Sequence, residues 1–403
     1  MKKHLIIICG IYYPQPSPTG LCVKRIAELL SDSCDIEIIS LSESGKDDTV
    51  IQNNGIVVHT LSCARLGLEN RTTGVLKKAV HTVGSLQIKV SLLGNLGWFK
   101  KKATDKLHEI NKKNKIDIVY SVCSPFAAHC AAYDFKQRVK AVCWCAYTVD
   151  PYATKNRIRP FFCSFEHIAN VERKLLSAAD TLLVSEEVFN GRRDLYEGHG
   201  NCVPLPYILP NENTRAQGAN YFTENGIHCV YAGRLYPKLR DPYNMLKTFS
   251  AFEDKDIKLH LFSVGCDNMV NQYAQKGFSI VRHAQVSHEE ILKIYSEADV
   301  LVNIGNNTSE FFPSKTFEYI VSCKPIVHFY GGGKRDELLE KYPLAIQVDN
   351  SAENIDERSI EAFIKDKKNR LVDSELIEKI FYKHTKDNIK SILALAMERG
   401  VKR

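Results

Sequence analysis

No apolar stretch in the 403 residues approaches the roughly 20 needed to cross a bilayer, so no transmembrane helix is expected. A signal peptide is not expected either, because the first apolar run, Leu5–Cys9, is short and no small-residue cleavage site follows it. Neither GxGxxG nor GxxxxGK[ST] occurs, which disfavours ordinary dinucleotide and P-loop sites. No internal repeat with a period of about 20 to 50 residues is present, which sets solenoids and propellers aside. The 13 cysteines lack the spacing of a disulfide framework: their number is odd and they scatter from Cys9 to Cys323. The one close pair, Cys143-x-Cys145, is not the CxxC of a zinc knuckle. Small buried hydrophobes in a reducing cytoplasm are the expectation.

What is present is ordinary globular composition. Apolar residues at 44% and charged residues at 25% exclude disorder, collagen-like sequence and coiled coil as dominant descriptions. The length suggests two to four domains at about 100 to 200 residues each. The formal charge of +7 is local: Arg71 to Lys115 holds 11 Lys and Arg against Asp105 and Glu109, a net +9. No aromatic interleaving or reading motif accompanies it, so nucleic acid is not an expected partner. Within the segment, Leu86, Ile88, Val90, Leu92, Leu93, Leu96, Trp98 and Phe99 precede Lys100-Lys101-Lys102. Residues 86–102 therefore suit peripheral attachment to an anionic membrane, or else a core-packed helix followed by solvated charges.

Strand-like and helical patterns alternate along the chain. Short apolar runs at Leu5–Cys9, Ile36–Ser40, Ile56–Leu61, Ile116–Ser121, Ala141–Tyr147 and Thr181–Ser185 are separated by helical stretches, beginning with Cys22, Ile26, Leu29 and Leu30 on one face. Pro204 to Gly226 has the composition of a linker. A second series follows at Cys229–Tyr231, Leu259–Val264, Ser279–Val281, Val300–Ile304, Ile326–His328 and Ala345–Val348, and a Lys- and Glu-rich helical tail starts near Asp356. The expected fold is α/β, with two doubly wound Rossmann-like domains facing a cleft. The expected boundaries are an N-terminal acceptor-side domain at 1–207, a nucleotide-sugar domain at 208–380, and a C-terminal helix at 381–403 returning to the first domain.

Chemistry is expected in the loops after the strands. Glu310-Phe-Phe-Pro-Ser314-Lys315-Thr-Phe-Glu318-Tyr319 lies between two second-domain strands. Ser314 after Pro313 is a helix start, and the free N–H groups there suit a phosphate. Glu310 and Glu318 would accept hydrogen bonds from the hydroxyls of a sugar or ribose beside it. The alternative is that Glu318 only complements the helix dipole and Glu310 is solvated. Arg234, Lys238 and Arg240 crowd the loop after the strand at Cys229–Tyr231, where they would neutralise a diphosphate or stay solvated. In the first half, Asp150 ends an apolar strand, and His129 is read as a packing residue more readily than a catalyst.

These segments together resemble glycosyltransferase family 4, whose members have the two-domain GT-B fold. The resemblance runs through Gly233-Arg234-Leu235, Val264-Gly265, His288-Glu289-Glu290 to Ala298-Asp299, the Glu-x7-Glu spacing of Glu310 and Glu318, and Lys324-Pro325-Ile326-Val327. It is looser over Tyr13 to Gly20, Ser124 to His129 and Thr148 to Tyr152. It implies a retaining, metal-independent hexosyltransferase using a front-face mechanism without an enzyme nucleophile. It needs no cofactor beyond the donor, a UDP- or GDP-linked sugar. By resemblance, Arg234 with Lys238 or Arg240 stabilises the departing diphosphate. Gly20, Ser314 and Lys315 line the phosphates, Glu318 holds the ribose and Glu310 holds the sugar; Asp150 is a catalytic candidate from its place at the strand end, or else simply begins the Asp-Pro turn. A glycan or lipid-linked acceptor, cell-surface polysaccharide synthesis, and a cytoplasmic place on the inner membrane face are the implied setting. A nucleotide-sugar epimerase of the same fold and a non-catalytic scaffold are the competing readings.

Overall fold

The computed structural model describes residues 2–12, 17–42, 47–52, 54–62, 93, 96–154, 163–210, 221–276, 279–307 and 314–401. The chain divides into two compact units, Met1–Ile208 with Lys386–Arg403, and Leu209–Thr385.

The first unit runs β1 (Lys3–Ile8), α1 (Pro18–Leu30), β2 (Cys34–Ser42), β3 (Asp48–Ile51), β4 (Val57–Ser62), α2 (Gly97–Lys113), β5 (Ile118–Cys123), α3 (Phe126–Arg138), β6 (Cys143–Thr148), α4 (Phe165–Leu176), β7 (Thr181–Ser185), α5 (Glu186–Gly191), α6 (Arg193–Tyr196) and β8 (Cys202–Leu205). Its sheet has the order β3-β4-β2-β1-β5-β6-β7-β8. Only β3 is antiparallel, paired with β4. Successive residues of β1 enter two different cores: Ile6 and Ile8 pack on one face of the sheet, Leu5 and Ile7 on the other. That two-sided burial explains why the strands read as continuous apolar runs rather than alternating ones.

The second unit contains β9 (Ile227–Arg234), α7 (Tyr243–Ala251), β10 (Ile257–Val264), α8 (Asp267–Gln275), β11 (Ile280–Arg282), α9 (His288–Glu297), β12 (Val300–Ile304), α10 (Ser314–Val321), β13 (Ile326–Tyr330), α11 (Glu337–Lys341), β14 (Ala345–Asp349), α12 (Glu357–Lys367) and α13 (Ser374–Ile380). The wholly parallel sheet has the order β11-β10-β9-β12-β13-β14. This is the doubly wound Rossmann arrangement, with the order reversing between β9 and β12. In the first unit the corresponding reversal lies between β1 and β5. The last helix, α14 (Lys386–Val401), belongs to the first unit. There Ile389, Leu393, Ala396 and Met397 join a core, and Thr181 Oγ1 donates to Ala396 O at 2.8 Å.

The two doubly wound α/β units are those expected, and two strands are additional. β3 is exposed along its whole length, so no apolar pattern announced it. β8 occupies the start of the expected linker and contains Pro204, which an edge strand tolerates because one side of it makes no ladder bonds. Beyond it Tyr207, Ile208 and Leu209 are buried, and Arg25 Nη1 donates to Tyr207 OH at 2.7 Å. That part of the expected linker is packed chain, while 211–220 lie outside the described residues. The described cysteines are all free, and most are buried.

Candidate functional site

In the second unit, loops at the carboxyl ends of β9 and β12 meet where the strand order reverses. The β9 ladder continues one residue past the strand, with Leu235 N donating to Val264 O at 2.8 Å and the Leu235 side chain buried. The chain then folds back on itself. Arg240 N donates to Tyr236 O at 2.9 Å and Tyr236 N to Arg240 O at 3.2 Å, leaving Pro237, Lys238 and Leu239 at the tip.

Asn306 and Asn307, just past β12, tie this loop down. Asn307 N donates to Leu239 O and Asn307 Nδ2 to Lys238 O, both at 2.9 Å, and Arg240 Nε donates to Asn306 Oδ1 at 2.6 Å. Arg240 is thereby half-buried and held, whereas the Arg234 and Lys238 side chains are exposed.

The third component is α10. Phe317, Tyr319 and Ile320 have no exposure at all, which fixes the helix against the sheet and orients its polar face. On that face Lys315 reaches back across β9 and donates from Nζ to Ala232 O at 2.6 Å. The reach requires glycine at 233: φ there is +151°, and a β-carbon would collide with Lys315 Nζ. Burial pulls the Lys315 amine down to about 8, an effect Glu318 opposes and Arg240 reinforces. One helical turn on, Glu318 is 6% exposed, with Oε1 3.9 Å from His288 Nε2. Two cations and a carboxylate thus converge at one switch point. Behind them Thr316 Oγ1 accepts from Asn303 Nδ2 and donates to Asp336 Oδ2, both at 3.4 Å. Burial holds the Asp336 carboxyl above the usual carboxylate range.

The remaining expected residues are distributed as follows. Ser314 opens α10, whereas Glu310 lies outside the described residues. Gly20 sits in the first turn of α1, where its N–H donates to Ser17 Oγ at 3.2 Å and a β-carbon would come within 2.6 Å of Ile11 O. Asp150 follows β6, half-buried, and desolvation raises its pKa. His129 is wholly buried, its ring between Ser121 Oγ at 2.8 Å and Thr148 Oγ1 at 3.4 Å, and burial pushes it down to about 3. That is a neutral packing histidine.

Within residues 86–102, those from 86 to 92 and 94 and 95 lie outside the described residues. Phe99 is core, and Leu93 and Leu96 pack against it. Trp98 stays 45% exposed, with Lys102 Nζ 4.2 Å from its ring centroid. Lys100 and Lys102 pair with Asp134 and Asp47 at 2.7 and 2.8 Å.

Two features escaped the sequence reading. Glu172 of α4 is 1% exposed and accepts from Tyr152 N at 3.0 Å, Ala153 N at 2.8 Å and Tyr196 OH at 3.2 Å, which anchors the loop carrying Asp150. Its signal was a glutamate on the apolar stripe of Ile168, Ala169 and Leu176. An Asp-x-Asp triplet, Asp254-Lys255-Asp256, also occurs. It lies just before β10, at the amino ends of the strands and so opposite the switch-point loops, where Asp254 accepts from Asp256 N at 2.9 Å and pairs with Lys365 at 3.1 Å.

No protein-family model matches the chain, and no curated protein matches it. Solved structures do. Sucrose-phosphate synthase from Thermosynechococcus elongatus is similar over 99% of this chain and 98% of its own, at 14% identity and a TM-score of 0.63. The structure of trehalose-6-phosphate from E. coli bound with UDP-2-fluoro glucose is similar over 99% of this chain and 97% of its own, at 11% identity and a TM-score of 0.59.

 The same holds for Anabaena HepE in complex with UDP and glucose, at 11% identity and a TM-score of 0.59, over 98% of this chain and 99% of that one. At these identities the likeness establishes the fold alone.

Proposed function

We propose that the chain is a retaining, metal-independent glycosyltransferase. It moves a hexose from a UDP- or GDP-linked donor to a hydroxyl of a glycan or lipid-linked acceptor, in the service of cell-surface polysaccharide synthesis on the cytoplasmic side of a membrane. The observation that carries this reading is the convergence of Arg240, Lys315 and Glu318 at the β9/β12 switch point. Structures of the same fold bound with UDP-2-fluoro glucose and with UDP and glucose favour a nucleotide-sugar donor.

In this proposal the negative charge that grows on the departing diphosphate is met by cations already held in place. Arg240 is fixed by Asn306 and Lys315 by Ala232 O, so little reorganisation accompanies the reaction. This geometry favours Arg240 over the exposed Lys238 as the partner of Arg234. Glu318 takes the ribose hydroxyls and Glu310 those of the sugar. Ser314, which opens α10, and Gly20, in the first turn of α1, are proposed for the donor phosphates, and Asp150 is proposed as a catalytic group.

The test is to incubate the purified protein with a panel of UDP- and GDP-hexoses and candidate glycan and lipid-linked acceptors, with a chelator present. Acceptor-dependent release of nucleoside diphosphate, with retained anomeric configuration by NMR, is expected. Conversion of the donor without release points to an epimerase, and nucleotide binding without any turnover points to a scaffold. Loss of turnover on chelation, restored by magnesium or manganese, overturns metal independence.

A further inference from the structure

His288 has no part in the functional reading so far. It opens α9, whose buried stripe continues at Leu292 and Tyr295, four and seven residues on. Ser287 Oγ caps that helix by accepting from Glu290 N at 3.2 Å, and Tyr295 meets Tyr319 of α10 edge to face at 5.1 Å. These contacts fix α9 against α10 and bring the His288 ring to the Glu318 carboxylate. The pair is graded in exposure, with the His288 side chain 30% exposed and that of Glu318 8%.

A buried carboxylate is served by hydrogen-bond donors, and a ring nitrogen of a histidine that faces it can supply one of them. Their separation of 3.9 Å closes to a hydrogen bond with a shift of about 1 Å.

We propose that His288 is a positioning residue for the nucleotide, donating from Nε2 to Glu318 Oε1 and thereby fixing the orientation in which the carboxylate meets the ribose hydroxyls. This rests on the reading that Glu318 holds the ribose. His288 itself touches no ligand; it acts through Glu318.

Calorimetric titration with UDP, GDP and their 2′,3′-dideoxy counterparts tests it, with circular dichroism to confirm folding. His288→Ala should weaken binding of the preferred diphosphate by roughly three- to tenfold. His288→Gln, which restores a donor at similar reach, should recover most of the loss, whereas His288→Asn, too short to reach Oε1, should behave like His288→Ala. Against the dideoxy ligand, or in a Glu318→Ala background, His288→Ala should change nothing further. Equal losses with both ligands, or no loss while Glu318→Ala does weaken binding, overturn the inference and leave the donor site standing. If the wild type binds neither diphosphate, the donor-site reading fails and takes this inference with it.

Discussion

Lys315 shows most clearly what one residue gains from its surroundings. Its amine is drawn down to about 8 by burial, so near pH 8 a sizeable fraction is uncharged in the free protein. A diphosphate beside it would favour the charged form, so binding should take up protons at pH 8. Titrations in buffers of different ionisation enthalpy should show that uptake, and Lys315→Met should abolish it. Uptake that persists in the variant, or none in the wild type, places the diphosphate elsewhere. Residues of this kind were only partly legible in the sequence. Arg234, Lys238 and Arg240 stood together as candidates, but nothing in their spacing revealed that Asn306, 66 positions from Arg240, would hold one of them. Glu172 went unseen because a single acid on an apolar stripe does not disclose the backbone N–H groups it will meet.

At the scale of elements, the parallel strands were legible because burial on both faces leaves continuous apolar runs. The exposed β3 and the proline-bearing β8 were not, because edge strands need no such runs. A polar bridge across three of these strands sets a pH dependence. His4 of β1 and His59 of β4 both contact Glu37 of β2, at 2.9 and 2.7 Å. Hydrogen bonds from His4 and then His59 lower the Glu37 carboxyl to about 2, below its unfolded value. Its stabilising contribution is therefore present above the unfolded pKa of about 4.3 and is lost as pH falls toward 2. Urea unfolding should show this acid limb in the wild type and a shallower one in Glu37→Gln; identical limbs contradict the assignment. At the start of α2, peripheral attachment is proposed through Trp98 and Lys101, both exposed. Trp98→Ala with Lys101→Glu should reduce sedimentation with vesicles containing anionic lipid, and sedimentation unaffected by either the lipid charge or the substitutions removes the proposal. Among the described residues no helix is long and apolar enough to cross a membrane.

For the whole molecule, two doubly wound sheets follow from the alternation of strands and helices, and each reverses its order beside the strand that opens it. The donor-site reading depends on that reversal in the second unit, where β9, β12 and α10 deliver Arg240, Lys315 and Glu318 to one place. The most direct measurement is calorimetric affinity for UDP and GDP beside turnover, for wild type, Glu318→Ala and Arg240→Ala, with folding confirmed by circular dichroism. Glu318→Ala should weaken nucleotide binding by about 1.5 to 3 kcal/mol if both ribose hydroxyls are held. Arg240→Ala, and Arg234→Ala likewise, should depress turnover further than affinity, because their charge matters most as the diphosphate departs. A wild type that binds neither diphosphate, or folded variants that match it in both affinity and rate, would contradict the account.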